Sequence, residues 1–243
     1  MREDRDSTPL LSRRKLLGGC AAASTVGLAG CSSRSLAAET TVTHEYDASE
    51  LATLNVDVLN GTVDITEEQR ATVHAEATKQ AVDEAALDQF SLHDDRTSDD
   101  LSLSVDSGDN GLLSLEPAPR MDLVLTVPTG LQLDAESTNG TITVDTGSAD
   151  RVTAETVNGD IDISVVAASD VQADTTNGDV SITLPSTAEP SISYETTNGR
   201  VETIGLDAGS IEADAGVDRT LGNGTRQLTV TTTNGNFTIR GDR

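Results

Sequence analysis

Aromatic residues make up only 2% of the 243-residue chain, and there is no tryptophan. Joined to a formal net charge of −25, that scarcity is the composition of a disordered chain. Period-two alternation of Val, Ile and Leu from residue 42 onward argues against disorder and for β-strands. Positive charge is equally scarce. Beyond residue 30 only Lys79 and ten arginines remain, against a net of about −27. Nucleic acid and anionic lipid surfaces are poor partners for such a chain. So large an excess repels itself in ordinary buffer. Concentrated salt removes that penalty, because the Debye length falls to roughly 3 Å at 1 M. The composition is that of a protein of haloarchaeal type, living in concentrated salt.

There are two cysteines, Cys20 and Cys31, and no run of roughly 20 apolar residues long enough to span a membrane as a helix. Ser12-Arg13-Arg14-Lys15-Leu16-Leu17 precedes a short run rich in Gly and Ala and resembles a twin-arginine export signal. Leu28-Ala29-Gly30-Cys31 resembles a lipobox. These resemblances imply Arg13 and Arg14 as export determinants and residues 1–30 as a removed signal. They also imply Cys31 as the lipidated N-terminus, on the outer face of the cytoplasmic membrane. Cys20 lies too close to Arg14 to be the attachment residue. Residues 31–41 would form a polar tether, and the mature chain would hold neither a free thiol nor a disulfide.

The usual signs of catalysis are missing too. No Gly-rich phosphate loop, Ser-His-Asp order or paired cysteine motif is present, and His44, His74 and His93 are scattered without ligand spacing. Asn158-Gly159-Asp160-Ile161-Asp162 and Asn177-Gly178-Asp179 could offer oxygen ligands to calcium if they stacked. They lack the Gly-Gly-x-Gly-x-Asp repeat of calcium-binding solenoids, and a solvated acidic surface accounts for them better. A glycan hydrolase would need one particular pair of carboxylates, and 41 acidic residues single out none. No enzyme, cofactor or metal site is expected.

What the chain does have is a repeat. Asn-Gly pairs stand at Asn60, Asn139, Asn158, Asn177, Asn198 and Asn234, and the four central ones are spaced by 19, 19 and 21 residues. Small or apolar residues lie two, four and six places before almost every Asn, and three and five places after it. Self-similarity of this period marks a stacked-repeat architecture. Residues 131–243 carry the regular repeats, and residues 42–130 form a less regular β region continuous with them. Strands are expected at Ala71–Ala81, Leu101–Val105 and Met121–Val127, with a helical turn in Val82–Gln89 and a charged loop at His93–Asp100. Asp207–Gly224 reads as irregular coil and Arg240–Arg243 as a tail.

Two all-β architectures fit the register. Asn-Gly between alternating runs is a strong hairpin signal, since a type I′ turn needs positive φ at both central residues. An antiparallel hairpin meander, or a β-sandwich, follows from that reading. A meander, however, leaves one long apolar face uncovered. A β-solenoid of about 19–21-residue coils closes each coil on its own core. It also lets the six asparagines bond in a ladder from coil to coil, with the preceding threonines as a second ladder. Small inward residues at Ala135, Ala154 and Ala173 favour this narrower build.

The Val-Pro-Thr-Gly strand end followed by serial Thr-x-Asn-Gly-x-Ile units resembles a family of β-strand repeat proteins, largely of unknown function and named for a suggested adhesin role. The resemblance covers roughly residues 42–240. It implies a solenoid-like extracellular domain with an adhesive or envelope function and brings no catalytic motif. The expected partners are the membrane through the lipid on Cys31, a surface glycan or envelope protein, or further copies of the chain. Self-association as a structural or stress-sensing envelope component is the alternative. Four sequons occur, at Asn60, Asn139, Asn223 and Asn236. Asn223 is the candidate for N-glycosylation, since the ladder would occupy Asn60 and Asn139. Arg240-Gly241-Asp242 spells an adhesive tripeptide that is too short to carry weight.

Overall fold

The computed structural model of the chain describes residues 36–106, 117–166, 170–214 and 216–242. Arg13, Arg14, Cys20 and Cys31 lie outside the described residues. In chain order come β1 (Ala38–Asp47), β2 (Thr53–Asn60), β3 (Val63–Glu67) and β4 (Thr72–Ala81). A short helix, α1 (Glu84–Asp88), leads to β5 (Ser91–Arg96), β6 (Asp100–Asp106) and β7 (Arg120–Val127). The regular repeats supply β8 (Gln132–Asn139), β9 (Ile142–Thr146), β10 (Arg151–Asn158) and β11 (Ile161–Val165). They continue through β12 (Asp170–Asn177), β13 (Val180–Pro185), β14 (Pro190–Asn198) and β15 (Arg200–Ile204). Two short strands, β16 (Glu212–Asp214) and β17 (Val217–Thr220), precede β18 (Arg226–Asn234) and β19 (Phe237–Asp242).

Each Asn-Gly pair is a corner between two sheets. β10 lies parallel to β8 and β12, and β11 lies parallel to β9 and β13, so the two strands flanking one corner belong to different sheets. Of the six corner glycines only Gly61 has a positive φ, which excludes type I′ hairpins at the other five. The chain is therefore a flattened solenoid of parallel strands. A ten-stranded sheet and a nine-stranded sheet enclose one core.

The inward rows explain that core. Leu133, Val152 and Val171 stack in one row, Ala135, Ala154 and Ala173 in the next, and Ile142, Ile161 and Val180 oppose them from the other sheet. All nine are buried. Burying an aliphatic side chain contributes about 1.5–3 kcal/mol, so small gains repeated from coil to coil compensate for the scarcity of rings.

The stacking order differs from the chain order. β12 pairs with β18 and β18 with β14, so the Asn234 repeat is inserted between those of Asn177 and Asn198. At the other end β2 stacks directly on β8, and β6 and β7 extend the stack beyond β2 and β3. In that outer coil Asp122 bonds Thr62, as the coil next to an Asn-Gly corner does elsewhere.

Antiparallel strands cover both ends. β5 pairs with β6, and β4 followed by β1 extends the ten-stranded sheet beyond β7. β17 pairs with β14, and β16 with β15. Four expectations are corrected here. Ala38–Thr41, expected within the polar tether, opens β1 and pairs with Thr78–Ala81 of β4, the edge of the sheet drawing it in. His93–Arg96 belongs to β5 rather than to a loop; this edge strand buries almost nothing, so no apolar alternation marks it. Asp207–Gly224 contains β16 and β17, short strands held by the backbone of the end coil. Arg240–Asp242 continues β19 against β13 instead of trailing as a tail. The helix falls where the turn was expected, with Asp83 accepting from the Ala86 N–H and Lys79 Nζ donating to the Leu87 and Phe90 carbonyls.

Candidate functional site

The corner is the most regular feature of the molecule. Asn139 Nδ2 donates to Asn60 Oδ1 at 2.8 Å, Asn158 to Asn139 at 2.9 Å and Asn177 to Asn158 at 2.9 Å. Asn234 then donates to Asn177 at 2.9 Å and Asn198 to Asn234 at 2.8 Å. Each inner amide both gives and accepts, the arrangement in which such bonds reinforce one another. The glycine beside each Asn is required by closeness. A Cβ on Gly140, Gly159, Gly178, Gly235 or Gly199 would lie 1.7–2.1 Å from the neighbouring glycine's carbonyl oxygen.

Hydroxyls two places before the Asn serve that same carbonyl instead of one another. Thr156 donates to the Gly140 carbonyl at 3.2 Å and Thr175 to that of Gly159 at 3.1 Å. In the outermost of these coils Tyr194 takes over, donating its phenol to the Gly235 carbonyl at 2.9 Å. Two places after the Asn, Asp160 accepts from the Asp179 N–H at 2.8 Å, and Asp179 accepts from the Asn236 N–H at 2.7 Å. Asp160 and Asp179, the carboxylates that could have offered oxygen to calcium, thus bond the next coil. Asp162 lies on the outward face in register with Thr143 and Ser181, apart from them. These amides, hydroxyls and carboxylates bond from coil to coil, so this edge holds the stack together.

The outer face of the nine-stranded sheet is different. Three places before the Asn, parallel register aligns Asp57, Glu136, Glu155 and Asp174 in one row. Neighbouring strands are roughly 4.8 Å apart, so four carboxylates stand side by side. Asp134 lies beside them in the next row, between Asn55 and Thr153. A shallow open groove of about 430 Å³ runs along the row, walled by Thr138, Thr176 and Thr233. A second hollow of about 360 Å³ continues it past Asn55 and Ser102. Partial burial, and then Asp134 and Asp57, push the Glu136 carboxyl above its ordinary range. Partial burial, then Asp174, Glu136 and Asp134, do the same for Glu155. Burial alone raises Asp134. Among the described residues no lysine or arginine stands in either row to offset them. The groove offers hydrogen-bond acceptors and hydroxyls on the flat outer face of the sheet.

The histidines do not converge. His74 Nδ1 lies 2.7 Å from Glu45, His44 stacks on Tyr46, and His93 sits on β5 opposite Ser104. No group of three His, Cys, Asp or Glu side chains among the described residues could hold a metal ion. Among the described residues no helix is long and apolar enough to cross a membrane. Two features escaped the sequence reading. The carboxylate row was visible as one column of the aligned repeats, an acid three places before Asn60, Asn139, Asn158 and Asn177. Asp122, which accepts from Thr62 N–H and hydroxyl and from Arg120, had no such signal because its coil lacks the Asn-Gly pair.

This chain belongs to the Toastrack DUF4097 family, whose model matches residues 25–240. Among solved structures it is similar to a "putative cell adhesion protein" from Clostridium sporogenes ATCC 15579. The TM-score is 0.52 at 10% identity, over 82% of this chain and 99% of that one. Two proteins named "putative adhesin" align over the same 82% of this chain. One is from Bacteroides fragilis NCTC 9343, at 12% identity, 96% coverage and a TM-score of 0.34. The other is from Parabacteroides merdae ATCC 43184, at 15% identity, 80% coverage and a TM-score of 0.25. Only the first likeness carries weight, and at that identity it speaks for the fold alone. No curated protein matches the chain.

Proposed function

We propose that the protein is a non-catalytic binding module, held outside the cell by a lipid on Cys31, that grips an extended, hydroxyl-rich glycan along its nine-stranded sheet. The observation that carries this reading is the groove over the Asp57–Glu136–Glu155–Asp174 row. Its carboxylates accept hydrogen bonds from sugar hydroxyls, and its threonines can do either. At molar salt such bonds outlast long-range charge attraction, which is screened within a few ångströms, roughly 3 Å at 1 M. An acidic polysaccharide is disfavoured by like charge. The name of the similar Clostridium sporogenes structure, a "putative cell adhesion protein", agrees with this reading.

The alternative, a coat built by end-to-end stacking, is weakened by the antiparallel strands that cover both ends of the solenoid. The test is a pull-down from native envelope in molar salt, using the soluble form that begins at Ser32. Recovery of a glycan or glycosylated partner supports the binding module. Recovery of ordered multimers alone supports the coat. Anchoring is tested separately by Cys31→Ser, which should move the protein from the membrane fraction to the medium.

A further inference from the structure

Four Asn-x-Ser/Thr sequons lie in the chain, and the fold treats them unequally. Asn60 and Asn139 are rungs of the corner ladder. Asn236 donates its amide to Asp179 Oδ1 at 3.1 Å and accepts the Arg200 N–H at 3.3 Å. The Asn139 and Asn236 amide nitrogens, where a sugar would attach, already donate to the neighbouring coil. Asn60 gives its oxygen to Asn139 beside the close approach of Gly140 to the Gly61 carbonyl, which leaves a sugar little room. Asn223 is the exception. It sits at the tip of a turn closed by Gly224 N–H to the Leu221 carbonyl at 3.3 Å. Positive φ at Gly222 (58°) and Gly224 (65°) turns the chain sharply on either side of it. Its backbone is pinned, because Glu189 Oε2 accepts the Asn223 N–H at 2.9 Å and the Glu189 carbonyl accepts that of Thr225 at 2.9 Å. Asn223 and Thr225 are both exposed, and among the described residues no hydrogen bond engages the Asn223 side chain.

We infer that Asn223 is an N-glycosylation site, and that the fold makes it the single acceptor among the four sequons. The inference rests on the reading of the protein as exported. A twin-arginine signal implies a chain that crosses already folded, so a glycosyl transferase outside would meet the finished solenoid rather than an open chain. The co-substrate is a glycan linked through phosphate to a membrane lipid. The Asn223 amide nitrogen attacks the anomeric carbon, a carbon–nitrogen bond forms and the carbon–oxygen bond to phosphate breaks. The lipid phosphate leaves with that electron pair, and the amide proton passes to a base of the transferase. The turn lies on the end coil at the β17–β18 connection, away from the carboxylate groove, so the sugar would leave that face open.

The test is glycopeptide mass spectrometry on the protein recovered from the membrane fraction of an exporting, glycosylating host. The expected result is a glycan mass on Asn223, lost in Asn223→Gln and Thr225→Ala and kept in Thr225→Ser, with Asn60, Asn139 and Asn236 bare. A membrane-fraction protein with bare Asn223, or with glycan on a ladder asparagine, overturns the inference. Export is scored in the same samples by fractionation. A companion reaction makes the site independent of export: the folded Ser32 form is incubated with transferase-bearing membranes and a lipid-linked glycan. Modification of Asn223 alone upholds the site, and no modification refutes it.

Discussion

Asn234 donates its side-chain amide to Asn177 at 2.9 Å across 57 residues of chain, while Asn198, nearer in sequence, bonds to Asn234 instead. The last repeat is thus wedged between two that precede it. β14 and β12 share no hydrogen bonds, because β18 stands between them. Deleting residues 225–243 should therefore leave the Asn198 repeat without its neighbour. Hydrogen exchange would show fast exchange across residues 190–204 and retained protection in β8 to β13. Protection of β14 in the truncated protein would mean that it can slide onto β12, against this account.

The ladder itself contributes modestly. Asn158→Ala removes one bond to each neighbouring coil, and net contributions are about 1 kcal/mol per hydrogen bond. Asn198→Ala removes a single bond at the end of the row. Thermal unfolding in molar salt should place Asn158→Ala roughly twice as far below wild type as Asn198→Ala. Equal losses would mean that the rungs do not act as a row.

The glycines separate two kinds of strain. Gly159 has an ordinary φ, yet a Cβ there would lie 2.1 Å from the Gly140 carbonyl oxygen, backbone that cannot give way cheaply. Gly130 has φ of 81° and open space where its Cβ would point. Gly130→Ala should cost about 1 kcal/mol, the ordinary penalty of a left-handed alanine. Gly159→Ala should cost about 3 kcal/mol or more, in the range of overpacking. Denaturant unfolding of the two variants would show the order, and a reversal would show that the coils can spread.

The carboxylate row makes stability depend on pH and salt. The folded pKa values of Glu136 and Glu155 are raised by partial burial and by their acidic neighbours. Between the unfolded and folded values the native state binds more protons, so stability falls as pH rises through that window. At neutral pH the full penalty is present. Glu136→Gln should therefore raise Tm at neutral pH in low salt. The gain should shrink below the carboxylate range, and also at molar salt, where screening weakens the repulsion. A salt-independent gain would assign the effect to the burial of Glu136 rather than to repulsion from its acidic neighbours.

Much of this architecture is legible in the repeat unit. Ala154, Thr156, Asn158, Ile161 and Ile163 carry the inward parity and the corner together, and that parity is what the backbone follows. The order of stacking is not legible, because the inward rows of the units are interchangeable in size except at one place. Tyr194 packs on Phe237 with ring centroids 5.5 Å apart, and its hydroxyl reaches the Gly235 carbonyl, which ties the Asn198 and Asn234 repeats to each other. Edge strands such as β5 and β17 bury too little to show an alternation, and they form because the end coils offer unpaired backbone. The carboxylate row is legible only when the repeats are read column by column, since acids abound everywhere else.

The most direct measurement is binding of isolated envelope glycan in molar salt to three forms of the soluble protein. These are the wild type, Glu136→Ala with Glu155→Ala in the groove, and Asp145→Ala with Asp162→Ala on the opposite sheet. Losing two of several hydrogen-bonding groups should weaken binding at least tenfold in the groove variant, which corresponds to about 1.4 kcal/mol. The opposite-face variant should bind as wild type does. Unchanged binding in the groove variant, with loss in the other, would place the binding surface on the ten-stranded sheet and contradict the account.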